Sequence, residues 1–227
     1  MKTVRAPIHR RPWHRIPWLS WLLPALMIAL AFAQEAVVIT DAQIEKLTQT
    51  FGQTARTRLL QWRMIMSDAK YKSLVDQQKI VLVNDFMNLT PFKSDQEHWG
   101  KADYWATPTE FLSTNGGDCE DYSIAKYFTL RALGVPDEKL QIMYVKETVV
   151  FKEAHMVLAY FATPDAEPVI LDNINKTILP ASKRTDLTPV YSFNGTGLWA
   201  AKQRQSSGSS SSISNWKELQ TRMKGTT

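Results

Sequence analysis

The sequence predicts an α+β domain in which helices pack on an antiparallel β-sheet. Two observations carry that fold class. Through the first half of the chain, apolar residues recur at three- and four-residue steps, the period of amphipathic helices. The second half changes to short β-branched and aromatic runs divided by turn residues, the pattern of strands. Helices first and strands afterwards is the segregated order of α+β proteins, not the alternation of βα units. A third observation singles out one helix: Cys119, the only cysteine, follows Gly116-Gly117-Asp118 and heads a largely apolar helical pattern.

The chain opens on basic residues, Lys2, Arg5, Arg10, Arg11 and Arg15, before an apolar stretch from Trp18 to Phe32 and a small-x-small sequence, Ala31-Phe32-Ala33. That is the layout of a secretory signal peptide over residues 1–33. Pro24 interrupts the apolar run, which is short for a full membrane span; an uncleaved anchor is the rival reading. The whole chain carries 27 basic and 22 acidic residues. Five of the basic residues lie before residue 34 and no acidic residue does, so the remainder has a formal net charge of zero. The basic excess belongs to the export segment and gives no reason to expect nucleic-acid binding. Residues 34–202 are expected to form one domain without disulfides, exported and not permanently inserted in a membrane.

Asp41 to Ser67 reads as one helix, capped by Thr40 or Asp41, with Ile44, Leu47, Phe51, Ala55, Leu59, Trp62 and Ile65 or Met66 on its apolar face. A second helix is expected from about Ser73 to Asn88, burying Ile80, Val83, Phe86 and Met87. Residues 89–108 look irregular, punctuated by Pro91, Gly100 and Pro108. Thr107-Pro108-Thr109-Glu110 reads as a short helix start with proline in its first turn. The next helix runs from about Cys119 to Leu133 and stops at Gly134-Val135-Pro136. Strands are expected at Leu140–Val150, His155–Ala162, Val169–Asp172, Val190–Phe193 and Leu198–Ala201, with a hairpin turn at Asn194-Gly195-Thr196. The Ser-rich residues 203–227 read as a flexible tail ending in a loose helix at Trp216–Met223.

Cys119, His155 and Asp172 form the candidate catalytic set. A thiol at a helix N-terminus gains from the macrodipole and from unpaired N–H groups. The Cys119 N–H is itself free to donate to an oxyanion. His155 can accept the thiol proton, and Asp172 can fix the imidazole's tautomer and orientation. Asp118, Glu120 and Asp121 crowd the cysteine, and like charge raises a thiol's pKa. One account is capping, with Asp118 at the N-cap and Asp121 three residues on. The other is a divalent cation, for which carboxylate oxygens suit Ca²⁺. Chemistry leaves these two open. His98 and Trp105 are weaker candidates: one reads as a surface histidine, the other as a cleft-lining or a packed side chain.

Tyr104-Trp105-Ala106-Thr107-Pro108, Gly117-Asp118-Cys119-Glu120-Asp121-Tyr122-Ser123, Ala154-His155-Met156-Val157-Leu158 and Leu171-Asp172-Asn173 occur in order. With Leu187-Thr188-Pro189-Val190-Tyr191, they resemble the bacterial transglutaminase-like cysteine proteinases over roughly residues 50–200. The resemblance implies a papain/transglutaminase-like fold, with the nucleophile helix packed on the sheet. It implies that Cys119, His155 and Asp172 occupy the triad positions, and that Asp118 and Glu120, with Asp121 as a further candidate, are calcium-linked. It further implies a periplasmic, calcium-dependent endopeptidase that cuts a large surface adhesin near its N-terminus between two alanines. In that scheme the periplasmic domain of an inner-membrane cyclic di-GMP receptor holds the enzyme inactive, and cleavage releases biofilm cells. A transamidase, or a non-catalytic calcium-binding or receptor-docking module, is the alternative.

Overall fold

The structure, a computed structural model, describes residues 39–150, 152–200 and 208–225; the expected export segment, residues 1–33, lies outside them. Among the described residues no helix is long and apolar enough to cross a membrane.

Helix α1 spans Asp41–Ser67 and opens on a capping box. The Thr40 hydroxyl accepts from the Gln43 N–H at 3.2 Å, and the Gln43 side chain accepts from the Thr40 N–H at 2.7 Å. The helix is not continuous, as its apolar period suggested. Gly52 breaks it at φ 83°, a backbone region that glycine reaches without steric cost. The break resets the helical phase, and Phe51, expected on the apolar face, is exposed. Beyond it, Ala55, Leu59, Trp62, Ile65 and Met66 keep one stripe buried.

A single-turn helix, α2 (Ala69–Lys72), precedes α3 (Asp76–Met87), which therefore starts later than expected. Asp68 caps the short helix by accepting from the Lys70 N–H at 2.8 Å. Inside the stretch expected to be irregular, Ser94 caps one further turn, α4 (Asp95–His98). Helix α5 (Pro108–Thr114) carries the proline in its first turn and a reciprocal Thr107–Glu110 capping box. Helix α6 (Cys119–Ala132) follows, largely buried along its length. The Trp62 indole donates to the Thr129 hydroxyl at 2.8 Å, so a buried hydrogen bond fastens α1 to α6.

The strands are β1 (Leu140–Glu147), β2 (Ala154–Tyr160), β3 (Val169–Leu171), β4 (Leu179–Pro180), β5 (Leu187–Phe193) and β6 (Leu198–Ala200). They form one sheet in the order β4-β3-β2-β1-β5-β6, and every pairing is antiparallel. The first four strands form the expected meander. The chain then returns to the far side of β1, where β5 and β6 form the hairpin that Asn194 organises by accepting from the Thr196 and Gly197 N–H groups. Strand β4 carried no signal in the sequence because it is only two residues long.

Helix α6 lies across β2 and β1. Its Ile124, Ala125 and Leu130 join Leu59, Val83, Phe111, Ile142, Leu158 and Phe193 in the principal core. Alternate sheet positions, Val145, Val157, Ala159 and Ile170, form a smaller second cluster. The expectation of a flexible tail with a loose helix fails for residues 208–225. Helix α7 (Ser214–Gly225) buries Trp216 and Leu219 completely. Trp216 packs among Tyr127, Phe128 and Phe193, at ring-centroid distances of 5.7, 5.5 and 5.2 Å. Aromatic burial of that extent outweighs the ordering entropy that the Ser-rich composition suggested would prevail.

Candidate active site

The turn that delivers Cys119 to the head of α6 is tightly packed. A Cβ at Gly117 would collide with the Asp121 carboxylate and the Phe111 ring, so this position needs glycine for close approach. The Gly117 carbonyl accepts from the Lys93 N–H at 2.9 Å, which fastens the turn to the segment before α4. Cys119 is half-buried, and its thiol donates to Glu120 Oε2 at 3.1 Å. Burial, the Glu120 carboxylate and Asp118 push the thiol pKa up. Against them acts a backbone hydrogen bond from Met156, the residue directly after His155 on β2. The cysteine at the head of α6 thus abuts the strand that carries the histidine.

Strands β2 and β3 are paired, and their register sets the second part of the site. Leu158 lies opposite Leu171 and Tyr160 opposite Val169. His155, at the start of β2, meets Asp172, just past β3, with Nε2 to Oδ1 at 2.9 Å. Both side chains are buried. Oδ1 also accepts from the Ile174 N–H at 3.0 Å. Oδ2 accepts from the Arg184 guanidinium at 2.7 Å. Burial opposes ionisation of Asp172. The hydrogen bonds and charge of His155, with help from Ile174 and Arg184, overcome that cost and hold its carboxyl well below the usual carboxylate range. Its main-chain carbonyl is held as well, by Lys126 Nζ at 3.0 Å and Asn88 Nδ2 at 2.9 Å.

A third group of side chains stands at the head of α6. Ligand atoms of Asp95, Asp118 and Glu120 lie within 4.8 Å of one another. Asp95 Oδ1 and Asp118 Oδ1 are buried and have no hydrogen-bond partner in the protein. Burial, then Glu120 and Asp121, push the Asp118 pKa up to about 10. Burial, reinforced by Glu120, pushes Asp95 up to about 6. Converging carboxylates with orphaned buried oxygens fit a hard divalent cation, whose ligands are oxygens of this kind.

The two accounts of the acidic cluster divide between its members. Asp121 does not join the others. Its Oδ1 accepts from the Ala106 N–H at 2.7 Å and its Oδ2 from the Asp118 N–H at 3.3 Å, so both oxygens serve the backbone. Capping accounts for Asp121, and the cation account fits Asp118 and Glu120. Asp95 was missed in the sequence because it lies in a stretch without periodicity, residues 89–108, which read as irregular. Arg184, Lys126 and Asn88 were also missed, since no local pattern ties them to Asp172. His98 joins neither group and pairs with the Thr114 hydroxyl at 2.8 Å. Trp105 is buried and stacks on Phe193, centroids 5.7 Å apart, so the packing reading holds for it.

The sequence profile of the family described as bacterial transglutaminase-like cysteine proteinase (BTLCP) matches residues 62–204. No protein of curated description matches the chain. Among solved structures, EGTA-treated Legionella pneumophila LapG aligns with a TM-score of 0.72 at 41% identity, over 82% of this chain and 98% of that one. Calcium-bound Legionella pneumophila LapG aligns with a TM-score of 0.70, also at 41% identity, over 82% of this chain and 99% of the other. The α+β architecture expected from the residues is therefore that of a transglutaminase-like protease. By family profile, identity and fold together, the chain belongs to the bacterial transglutaminase-like cysteine proteinases.

Proposed function

We propose that this chain is an exported, calcium-dependent cysteine endopeptidase that works through Cys119, His155 and Asp172. The observation that carries the reading is the buried His155–Asp172 pair, with His155 on the strand whose next residue, Met156, makes a backbone hydrogen bond to the Cys119 thiol. Cys119 sulfur attacks the carbonyl carbon of a peptide bond, forming an S–C bond. The developing oxyanion is met by N–H groups at the head of α6. His155 passes the thiol proton to the departing amine, the C–N bond breaks, and a thioester remains. Water, deprotonated by His155, then releases the carboxylate product and returns the thiol. Asp172 keeps the imidazole in the tautomer that this shuttle requires.

Asp95, Asp118 and Glu120 would hold calcium. When bound, the ion supplies positive charge that offsets the carboxylates beside the thiol. Its use here is supported by the orphaned oxygens of Asp95 and Asp118 and by the calcium-bound form of LapG.

In the fuller reading, the enzyme acts in the periplasm after export by residues 1–33. It cuts the N-terminal region of a large surface adhesin between two alanines, and the periplasmic domain of a cyclic di-GMP receptor restrains it. This rests on the family likeness. The test is to incubate the purified protein with adhesin N-terminal fragments carrying paired alanines, in calcium or in EGTA, and to sequence the products. Cleavage in calcium, none in EGTA and none with Cys119→Ala is the expected result. Cross-linked products would point to transamidation, and cleavage by Cys119→Ala would end the proposal.

A further inference from the structure

We propose that Arg184 is a positioning residue of this site, fixing the Asp172 carboxylate so that its other oxygen faces His155. The inference rests on the reading of Cys119, His155 and Asp172 as a catalytic set.

The two oxygens of Asp172 have separate tasks. Oδ1 takes His155 and the Ile174 N–H, whereas Oδ2 takes the Arg184 guanidinium at 2.7 Å. A rotation of the carboxylate about its last side-chain bond would break both sides together. Arg184 is itself oriented before it meets Asp172. Asp186 grips it as a fork, with Nε to Oδ1 at 3.0 Å and Nη2 to Oδ2 at 2.6 Å. The Asp186 carbonyl in turn accepts from the Thr148 N–H at 2.9 Å and the Thr148 hydroxyl at 3.0 Å, tying the fork to the end of β1.

Other groups around Asp172 cannot replace this contact. Lys126 and Asn88 reach only its main-chain carbonyl, so they fix the backbone and leave the carboxylate free to turn. Arg184 is 3% exposed, and burying a guanidinium so deeply is costly unless anions face it on more than one side. Asp172 and Asp186 do so. A residue with a purely structural task, joining the β4–β5 turn to the sheet, would act independently of what Asp172 does for His155.

The experiment uses iodoacetamide, calcium-saturated protein and the rate at which Cys119, the chain's only cysteine, is alkylated. Arg184→Met is expected to slow alkylation by roughly tenfold or more, the scale on which supporting partners of a functional side chain act. Arg184→Lys keeps the charge without the fork and should slow it less. In an Asp172→Asn background, Arg184→Met should change the rate no further, because its effect runs through the carboxylate. A wild-type rate in Arg184→Met overturns the inference, as does the same slowing factor in the Asn background. If Arg184→Met does not fold, Arg184→Lys is compared in the two backgrounds by the same criteria. His155→Ala keeps the two readings apart: alkylation at the wild-type rate in that variant would sink the catalytic reading itself, whatever Arg184 does.

Discussion

Two clusters of carboxylates lie near Cys119, and they are built on opposite principles. Around Asp172, every negative charge meets a positive partner or an N–H donor within the chain. Around Asp118, three carboxylates converge and two of their oxygens have no partner; Lys101 lowers the Asp95 pKa only slightly against burial and Glu120. The first cluster holds its aspartate ionised, and the second pushes its aspartates toward protonation. The same side-chain chemistry thus yields an orienting device whose carboxylates are all partnered in one place, although Arg184 Nη1 there is buried without a partner, and a demand for external charge in the other. That division fits the tasks proposed for them: a group that orients a base must be constant, whereas a group that confers metal dependence must be incomplete alone.

Asp172→Ala gives the largest expected effect on stability. It leaves Arg184 buried with only Asp186, and breaking a buried pair costs about 3–5 kcal/mol. Urea unfolding in EGTA measures this, and a loss below about 1 kcal/mol would mean that the pair contributes little to stability. Calcium comes next. At about a hundredfold above its dissociation constant, a ligand specific to the folded state stabilises by about 2.7 kcal/mol. Thermal melts in calcium and EGTA should therefore differ by several degrees, and Asp95→Asn should shrink the difference. An unchanged calcium response in that variant would remove Asp95 from the site.

Asp118→Asn should behave unlike any change at Asp172. In EGTA it replaces a group already unfavourable as an anion, so the melting temperature should hold or rise. In calcium it should lose the metal-induced gain. Destabilisation in EGTA equal to that of Asp172→Asn would erase the contrast between the clusters. The smallest effect concerns pH. Because folding depresses the Asp172 pKa, its stabilising contribution is complete above the ordinary aspartate value of 3.8 and is lost as pH falls below it. The stability difference between wild type and Asp172→Asn should therefore be flat from neutral pH to about 4.5. On further acidification it should shrink, by at most about 1.4 kcal/mol per pH unit. A difference that shrinks above pH 5 would contradict the direction assigned to this carboxyl.

Much of this was legible because it is local. The Thr107–Glu110 box, the start of α6 at Cys119 and the Asn194 turn are all set by groups three or four residues apart, and the structure keeps them. The placement of His155 at the start of one strand was also readable from strand patterns, and Asp172, expected as the last residue of the next, falls just past its end. What failed was information carried by distance along the chain. Period alone ran a single helix through Gly52, and composition alone left α7 loose.

By itself, then, the sequence determined which residues had the chemistry, the elements on which they sit, and the order of helices before strands. Local hydrogen bonding and hydrophobic period act over a few residues and leave a mark in any window of the chain. Tertiary structure alone decided that Asp95 joins Asp118 and Glu120 while Asp121 turns to the backbone. It alone brought Arg184 to Asp172 and drew Trp216 into the core. Those choices depend on which distant surfaces are buried together, and a buried charge or ring can be satisfied only by whatever packing places beside it.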